Sequence, residues 1–213
     1  PQQEARGRKA SDTWGVKGGC AATCRGRVQH KPLGGALAKY EEEGRFAHFT
    51  IPTGSGRQVL HCLVCWGYPG AWQGGDAEQE NEVFLNLVLE AAGEIGAVPR
   101  IIIGDFNTPP ECSRRIQQAL DTKQWTDTIA WHADAQGRMP GNTYDGKDTD
   151  EPNRLDWILL SEEMTGASPR AGSLHDTGIP GHRPVFVDLQ IAALQEEYWQ
   201  RRIPTPLPLQ PRQ

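Results

Sequence analysis

The sequence lacks any apolar run long enough to cross a membrane, and it opens with neither a methionine nor an apolar signal segment. It also lacks an excess of positive charge, because 22 Lys and Arg residues stand against 27 Asp and Glu, a formal net charge of −5. A protein that holds duplex DNA through many phosphates is usually more basic. The composition therefore predicts no membrane span. It favours a small or weakly held substrate, or a partner domain that supplies affinity.

Cysteine occurs in an odd number, five. Cys20, Cys24, Cys62 and Cys65 could form a zinc site, but both segments that carry them have the pattern of core strands. Free cysteine packs in such strands as a small hydrophobic residue, so we favour core thiols over zinc. Reduced thiols indicate an intracellular protein, in the nucleus or cytoplasm, rather than a secreted one.

Length and apolar content fit one domain without an internal repeat. A chain of 213 residues with 37% hydrophobic residues can form a single α/β core. We place this domain at residues 1–191 and interpret the proline-rich residues 192–213 as a linker or tail that leads to further domains of a longer polypeptide. The apolar patterns predict strands at Gly19 to Arg25, Arg45 to Ile51, Gln58 to Trp66, Arg100 to Gly104, Leu155 to Ser161 and Val185 to Gln190, and helices at Asp76 to Gly93 and Cys112 to Thr122.

The most informative segment is Gly104-Asp105-Phe106-Asn107, which follows Ile101-Ile102-Ile103. The β-branched run predicts a strand that is buried on both faces and ends near the glycine. Asp105 and Asn107 lie two residues apart, so their side chains should point the same way at the strand end. Open α/β sheets commonly place ligand sites at such ends, although an Asp/Asn turn would leave the same pattern.

Two later segments favour a functional site over a simple turn. Asn153 to Ser161 predicts a second apolar strand with one carboxylate, Asp156, between apolar neighbours, and such a carboxylate requires a partner when it is buried. Gly178 to Leu189 is a loop that carries His182, followed by an alternating strand. A histidine that a buried aspartate can orient is more often a catalytic unit than a lone loop residue.

Taken in order, these segments resemble the motifs of the endonuclease/exonuclease/phosphatase superfamily, whose fold is like that of deoxyribonuclease I. The matching stretches are Gly104 to Asn107, Arg154 to Leu159 and Pro180 to Val185, and Asn142-Thr143-Tyr144 is similar to the Thr-Tyr/Phe element that precedes the second motif. The resemblance covers residues from about 18 to 189. It implies a four-layer α/β sandwich of two packed mixed β-sheets flanked by helices. Retrotransposon-type endonucleases, which are acidic or neutral and end in a linker, are a similar subclass.

The resemblance implies a role for each matching residue. Asp105 would activate or orient the attacking water, and Asn107 would hydrogen-bond a phosphate oxygen. His182 would contact the scissile phosphate and stabilise charge in the transition state, while Asp156 would hold the His182 ring in one orientation. A divalent metal, magnesium or manganese in this family, would assist the leaving oxygen. Arg154 of the second motif is predicted to contact the substrate.

The sequence also departs from the family pattern. Gly181 stands where the family has an aspartate before the histidine, so one carboxylate is missing from the metal and phosphate neighbourhood. The family's phosphate-binding tyrosine aligns with Trp66, which lacks the hydroxyl group, and Tyr68 is the alternative. Glu4 is predicted as the metal-binding glutamate, the other interpretation being a charged residue in a frayed terminus. The family's first strand and helix have no counterpart, so we expect a chain truncated at its amino end.

These observations predict an enzyme that hydrolyses phosphodiesters with Mg²⁺ or Mn²⁺, and DNA as its substrate in an endonuclease reaction. One alternative is a weakly active or inactive remnant that serves as a binding module, which Gly181, Trp66 and the missing amino-terminal elements favour. A second alternative is a phosphatase or phosphodiesterase that acts on a lipid or sugar phosphate. The choice of substrate depends on loops that the motifs do not cover.

Overall fold

The computed structural model describes residues 19–23, 27–53, 59–146, 153–164, 166–175, 177 and 181–194. Glu4, Cys24 and residues 195–213 of the predicted tail lie outside the described residues. Within those ranges no helix has the length and apolar character that a membrane crossing requires.

A six-stranded mixed sheet forms the centre of the fold, with the strand order β1-β2-β3-β4-β6-β5. Strands β3 and β4 are parallel, and every other neighbouring pair is antiparallel. A second sheet consists of the antiparallel pair β7 and β8. The strands are β1 Gln29–His30, β2 Phe46–Pro52, β3 Val59–Trp66, β4 Arg100–Asp105, β5 Trp125–Asp127, β6 Asp156–Ser161, β7 Arg170–Ser173 and β8 Val185–Asp188; the helices are α1 Ala38–Glu42, α2 Asp76–Glu94, α3 Arg114–Asp121 and α4 Thr128–Asp134.

The two faces of the central sheet bury different partners, because side chains alternate along each strand. On one face, residues such as Leu63, Ile102 and Trp157 form a core cluster with Phe84 and Val88 of α2. That cluster also contains residues of α1 and α3. The central sheet is therefore covered by helices on this face.

The opposite face of the central sheet packs against the second sheet. Ile101, Ile158 and Leu160 form a cluster against which Val185 and Val187 of β8 pack. Helix α4 packs against β6 and β7. The predicted α/β sandwich is confirmed, with the difference that the second sheet of the described residues is a small antiparallel pair rather than a mixed sheet.

The predicted strands that become β2, β3, β4, β6 and β8, and both predicted helices, are present with ends shifted by a few residues at most. The strand predicted at Gly19 to Arg25 is wrong over its described part, since residues 19–23 form no strand. The Cys20 N–H donates to the Gly44 carbonyl oxygen, and Cys20 packs beside Ala47 and Phe49. The segment thus contributes apolar side chains to the core without forming a hydrogen-bonded ladder.

A pair of histidines, one buried and one partly exposed, joins β2 and β3. His48 is 2% exposed, and its Nδ1 lies 2.9 Å from the Lys31 carbonyl oxygen, which can only accept a hydrogen bond. The His48 Nε2 atom therefore accepts from His61 Nδ1 at 3.0 Å when both rings are neutral. Burial is the main cause that lowers the pKa of His48, and that lowers the pKa of His61 to about 4.

This pair should make the protein less stable in mild acid. Below its usual pKa of about 6.5, His61 takes up a proton in the unfolded chain but stays neutral in the folded one until about pH 4. The contribution of His61 to the free energy of unfolding should therefore fall as the pH drops through this window, by about 1–2 kcal/mol after allowance for the partial exposure of His61. Urea denaturation at several pH values between 7.5 and 4 would measure the free energy of unfolding of the native protein and of His61→Asn. This free energy should fall less with decreasing pH in the variant. The same pH dependence in both proteins would contradict the prediction.

Candidate active site

Trp66, Asp105 and Asp156 lie side by side at one end of the central sheet. Trp66 pairs with Asp105 between parallel β3 and β4, and Asp105 pairs with Asp156 between antiparallel β4 and β6. Asp156 precedes Ile158 by two residues, so both side chains lie on the face that packs against the second sheet. Two carboxylates thus become direct cross-strand neighbours, an arrangement that is destabilising unless a cation or proton intervenes.

His182 reaches this pair from the loop before β8. Its Nδ1 atom lies 2.9 Å from Asp156 Oδ2, with side-chain exposures of 37% for His182 and 15% for Asp156. The contact predicted between these two residues is therefore present. Since the carboxylate oxygen accepts, Nδ1 carries the proton and the ring is held in one orientation, with Nε2 on its other side.

The segment Asn142 to Asp145 ties the two partners together. The fully buried Thr143 hydroxyl accepts hydrogen bonds from the backbone N–H groups of Leu155, at 3.0 Å, and Asp156, at 2.8 Å. The Thr143 carbonyl oxygen accepts from Arg183 N at 2.6 Å, directly after His182. One short segment therefore fixes both the start of β6 and the histidine loop.

Asn107 fixes the orientation of the Asp105 carboxylate. The Asn107 backbone N–H donates to Asp105 Oδ1, and its side-chain Nδ2 donates to Asp105 Oδ2, both at 3.0 Å. Nδ2 also lies 3.2 Å from the Gly67 carbonyl oxygen. The positive φ of 51° at Asn107 permits this turn, and asparagine tolerates that conformation better than most residues. The side-chain amide thus donates to Asp105 and lies close to the Gly67 carbonyl oxygen, and the phosphate contact that the resemblance implied for Asn107 stays a prediction.

Burial and charge both act on Asp105. Burial is the largest cause that raises its pKa, to about 6, and the neighbouring Asp156 carboxylate adds to the rise. The hydrogen bonds from Asn107 act in the opposite direction. A carboxylate that is desolvated beside a second carboxylate marks a place where a bound cation would be strongly stabilising.

Within the described part of the chain, Asp105, Asp156 and His182 form a group whose ligand atoms all lie within 4.8 Å of one another. Carboxylate oxygens are the donors that Mg²⁺ and Mn²⁺ prefer, and Mg²⁺ is usually held by one or two carboxylates together with water. The repulsion between the two aspartates supplies a reason for a cation to bind. The donor set therefore fits the predicted metal.

Of the three residues predicted to bind substrate, only Trp66 lies directly beside one of the two site aspartates in the sheet. Trp66 lies directly beside Asp105, whereas Tyr68 has passed the strand end and its ring faces the Arg45 guanidinium, at 4.0 Å from the ring centroid. The Arg154 side chain is largely covered, at 11% exposure, and its Nη2 donates at 2.7 Å to Oδ2 of Asp127, whose side chain is 6% exposed. This ion pair ties the start of β6 to the end of β5, and the substrate contact of Arg154 stays a prediction.

Three residues near the site were not predicted to act there. Arg45 contacts Trp66 and Tyr68, and Thr143 bonds to the start of β6. Asn81 of α2 is 1% exposed; its Oδ1 accepts from Tyr68 N and its Nδ2 donates to the Phe106 carbonyl oxygen, both at 3.0 Å. An asparagine on the buried face of an amphipathic helix is the signal that could have identified it, because its amide needs polar partners.

No family model and no curated protein matches this sequence. Solved structures do match. A 3′-5′ exonuclease (NExo) from Neisseria meningitidis has a TM-score of 0.54 at 15% identity, over 76% of this chain and 70% of that chain. An AP endonuclease from Archaeoglobus fulgidus has a TM-score of 0.55 at 13% identity, over 71% and 67%. The endonuclease domain of TRAS1, a telomere-specific non-LTR retrotransposon, has a TM-score of 0.55 at 12% identity, over 78% and 67%.

These similarities establish the fold. The chain has a deoxyribonuclease I-like fold, the fold that its motifs implied. The similar structures include nucleases from a bacterium, an archaeon and a retrotransposon.

Proposed function

We propose that this protein hydrolyses phosphodiester bonds with the help of a divalent metal, and that its substrate is DNA, cut as an endonuclease. The observation that carries the proposal is the contact of 2.9 Å between His182 and Asp156, placed beside Asp105 at the end of the central sheet. An oriented imidazole and a second, separately held carboxylate are two groups that an in-line hydrolysis requires.

In this reaction Asp105 orients a water molecule and accepts its proton as the water oxygen forms a bond to phosphorus. One ester P–O bond breaks on the opposite side. The departing oxygen takes up a proton from solvent, and Asp105 afterwards releases its proton to solvent. His182 takes part as an imidazolium, with one proton on Nδ1 facing Asp156 and a second on Nε2. From Nε2 it donates to a non-bridging phosphate oxygen and stabilises the charge of the transition state. Asp156 keeps that ring in place, and Asn107 keeps Asp105 in place.

The carboxylates of Asp105 and Asp156 would hold the metal ion, and Glu4 stays the predicted further ligand. When bound, Mg²⁺ or Mn²⁺ neutralises charge on the phosphate and the leaving oxygen. The cross-strand position of the two aspartates supports this assignment, because their carboxylate oxygens lie close to each other and to the His182 ring.

Two observations support DNA as the substrate. The similar structures are named as an exonuclease, an AP endonuclease and a retrotransposon endonuclease, and a second structure of the Neisseria protein is bound to a product DNA hairpin. The three motifs also match the pattern of a superfamily that contains DNA nucleases. The net charge of −5 argues for weak, local binding rather than for extensive contact with a duplex.

Plasmid nicking tests the proposal directly. Supercoiled DNA should be converted to the open circular form with Mg²⁺ or Mn²⁺, and excess chelator should stop the reaction because the two aspartates would lose their cation. Resupply of the metal should restore it. Nicking that persists in excess chelator would refute this mechanism, and metal-dependent hydrolysis of a sugar or lipid phosphate without DNA cleavage would favour that alternative.

Gly181 should limit the rate. The backbone has a positive φ of 82° there, and a side chain would meet only Tyr144, at 3.8 Å, so an aspartate has space. Gly181→Asp would cost about 1 kcal/mol in backbone strain. It should still raise nicking about tenfold if the added carboxylate stabilises the transition state by ~1.4 kcal/mol. Gly181→Asn is the matched control with the same shape but no charge, and an equal gain in both variants would contradict the electrostatic explanation.

A further inference from the structure

Arg45 extends the row of residues at the sheet end by one strand. The Trp66 N–H donates to the Arg45 carbonyl oxygen at 2.8 Å, one position beyond the Phe46–Cys65 pair of β2 and β3. Arg45, directly before β2, therefore lies in a row with Trp66 on β3, Asp105 on β4 and Asp156 on β6. Neighbouring strands are about 4.8 Å apart, so Trp66 is one strand spacing from the predicted reacting group.

The Arg45 guanidinium holds two aromatic rings together. Its Cζ atom lies 4.9 Å from the Trp66 ring centroid and 4.0 Å from the Tyr68 ring centroid. Nη1 donates to the Gly67 carbonyl oxygen at 3.0 Å, between the two aromatic residues, and Nε lies 3.4 Å from Glu43 Oε2. The Arg45 side chain is 17% exposed, so a planar cation is fixed against both rings.

Contacts other than those with Arg45 also fix Trp66 and Tyr68 in place. Trp66 packs against the cluster that contains Ala47 and Phe49. The Tyr68 backbone N–H is bonded to Asn81 Oδ1 at 3.0 Å. Both side chains stay partly exposed. The rings are thus ordered before any ligand arrives, and such preorganisation lowers the entropic cost of binding.

We propose that Trp66 and Tyr68, held by Arg45, form a stacking surface for the base of the nucleotide next to the scissile phosphate. Every nucleobase has an aromatic face, and aromatic side chains with arginine are the usual means of binding bases in single strands. Trp66 presents a large aromatic ring one strand away from Asp105. The substrate is then a nucleic acid strand with accessible bases, rather than a sugar phosphate or a lipid phosphate. This inference rests on the proposed function, and Arg45 acts in it as a positioning residue.

Steady-state hydrolysis of two substrates tests the inference. Trp66→Ala and Arg45→Met should raise the KM for a single-stranded oligonucleotide by about tenfold to a hundredfold, because the base loses its stacking partner. Hydrolysis of a strand of the same length whose sugars carry no bases should be lost to a smaller extent, because that strand has nothing to stack. Trp66→Phe, which keeps an aromatic ring, should restore most of the affinity. Equal losses on both substrates would overturn the proposal, since they would indicate general damage to the site.

Arg170→Met is the matched control. Arg170 also lies over an aromatic ring, that of Phe186 at 5.1 Å, and pairs with Asp188 at 2.9 Å, but it belongs to the second sheet. Its replacement should leave the KM for the oligonucleotide unchanged. A rise equal to that of Arg45→Met would show that loss of any such arginine weakens the protein, and would overturn the assignment.

Equilibrium binding separates this inference from the proposed function and needs no variant of Trp66. Fluorescence anisotropy would compare a labelled oligonucleotide with one of the same length whose sugars carry no bases, using the native protein in chelator to prevent cleavage. Weaker binding of the base-free strand supports stacking even if no hydrolysis is ever observed. Equal or tighter binding of the base-free strand would overturn the stacking surface even if the protein is an active nuclease.

Discussion

Replacing Asp105 with asparagine is expected to lower the rate of plasmid nicking by about a hundredfold to ten-thousandfold, the range typical of a lost general base. The change preserves the size of the side chain but removes its charge. It also places an NH₂ group where Asp105 now accepts hydrogen bonds from Asn107, at 3.0 Å on both oxygens. Both the proton acceptor and its orientation are therefore lost.

His182→Ala should cause a loss of similar size, since the group that stabilises the phosphate charge is removed. The double variant should be little worse than either single one, because residues that act as a unit are not additive. Asp188→Asn is the control: it removes an aspartate at the exposed end of β8, and should not change the rate. Thermal melting of each variant would show whether the fold survives. Unchanged nicking by folded Asp105→Asn would refute the assigned role.

The sequence predicted those parts of the fold that buried, regular segments encode. The isoleucine run of β4, the apolar segment of β6 and the long amphipathic pattern of α2 leave little choice of structure, and all three are present. The elements that went unpredicted are short, such as the strand Trp125–Asp127 and the helix Ala38–Glu42. A stretch of so few residues shows too little periodicity to be recognised.

Contacts in the site could be predicted only in two cases: when both contacting residues belong to one motif, or when the family pattern pairs residues of two motifs. The Asp156–His182 contact could be expected because the resemblance supplied a pairing across 26 positions of sequence. The position of Arg45 could not, because it depends on the register between β2 and β3, which the sequence alone does not fix. The ion pair of Arg154 could not be predicted for a related reason: its partner Asp127 lies at the end of an unpredicted strand.

The glycine of the Gly-Asp-Phe-Asn motif has a structural reason that can be tested. Gly104 pairs with Cys65 between the parallel strands β3 and β4, and its φ is +155°. A Cβ atom at this position would be in hard contact with the Cys65 carbonyl oxygen and 2.8 Å from the carbonyl carbon. Both contacts are backbone atoms of a buried strand, so no side-chain rotation can relieve them. The motif therefore needs glycine to bring Asp105 beside Trp66.

Gly104→Ala should consequently destabilise the protein by about 3 kcal/mol or more, a large share of the stability of a typical domain. Gly93→Ala is the matched control, because Gly93 is exposed within helix α2 and a Cβ there would meet nothing within 4 Å. That change should stabilise the protein by roughly 0.5–1 kcal/mol, since alanine is the better helix former. Urea denaturation of both variants would measure the difference. If Gly104→Ala unfolds at the same urea concentration as the native protein, the close approach of β3 and β4 does not explain why the motif has glycine at this position.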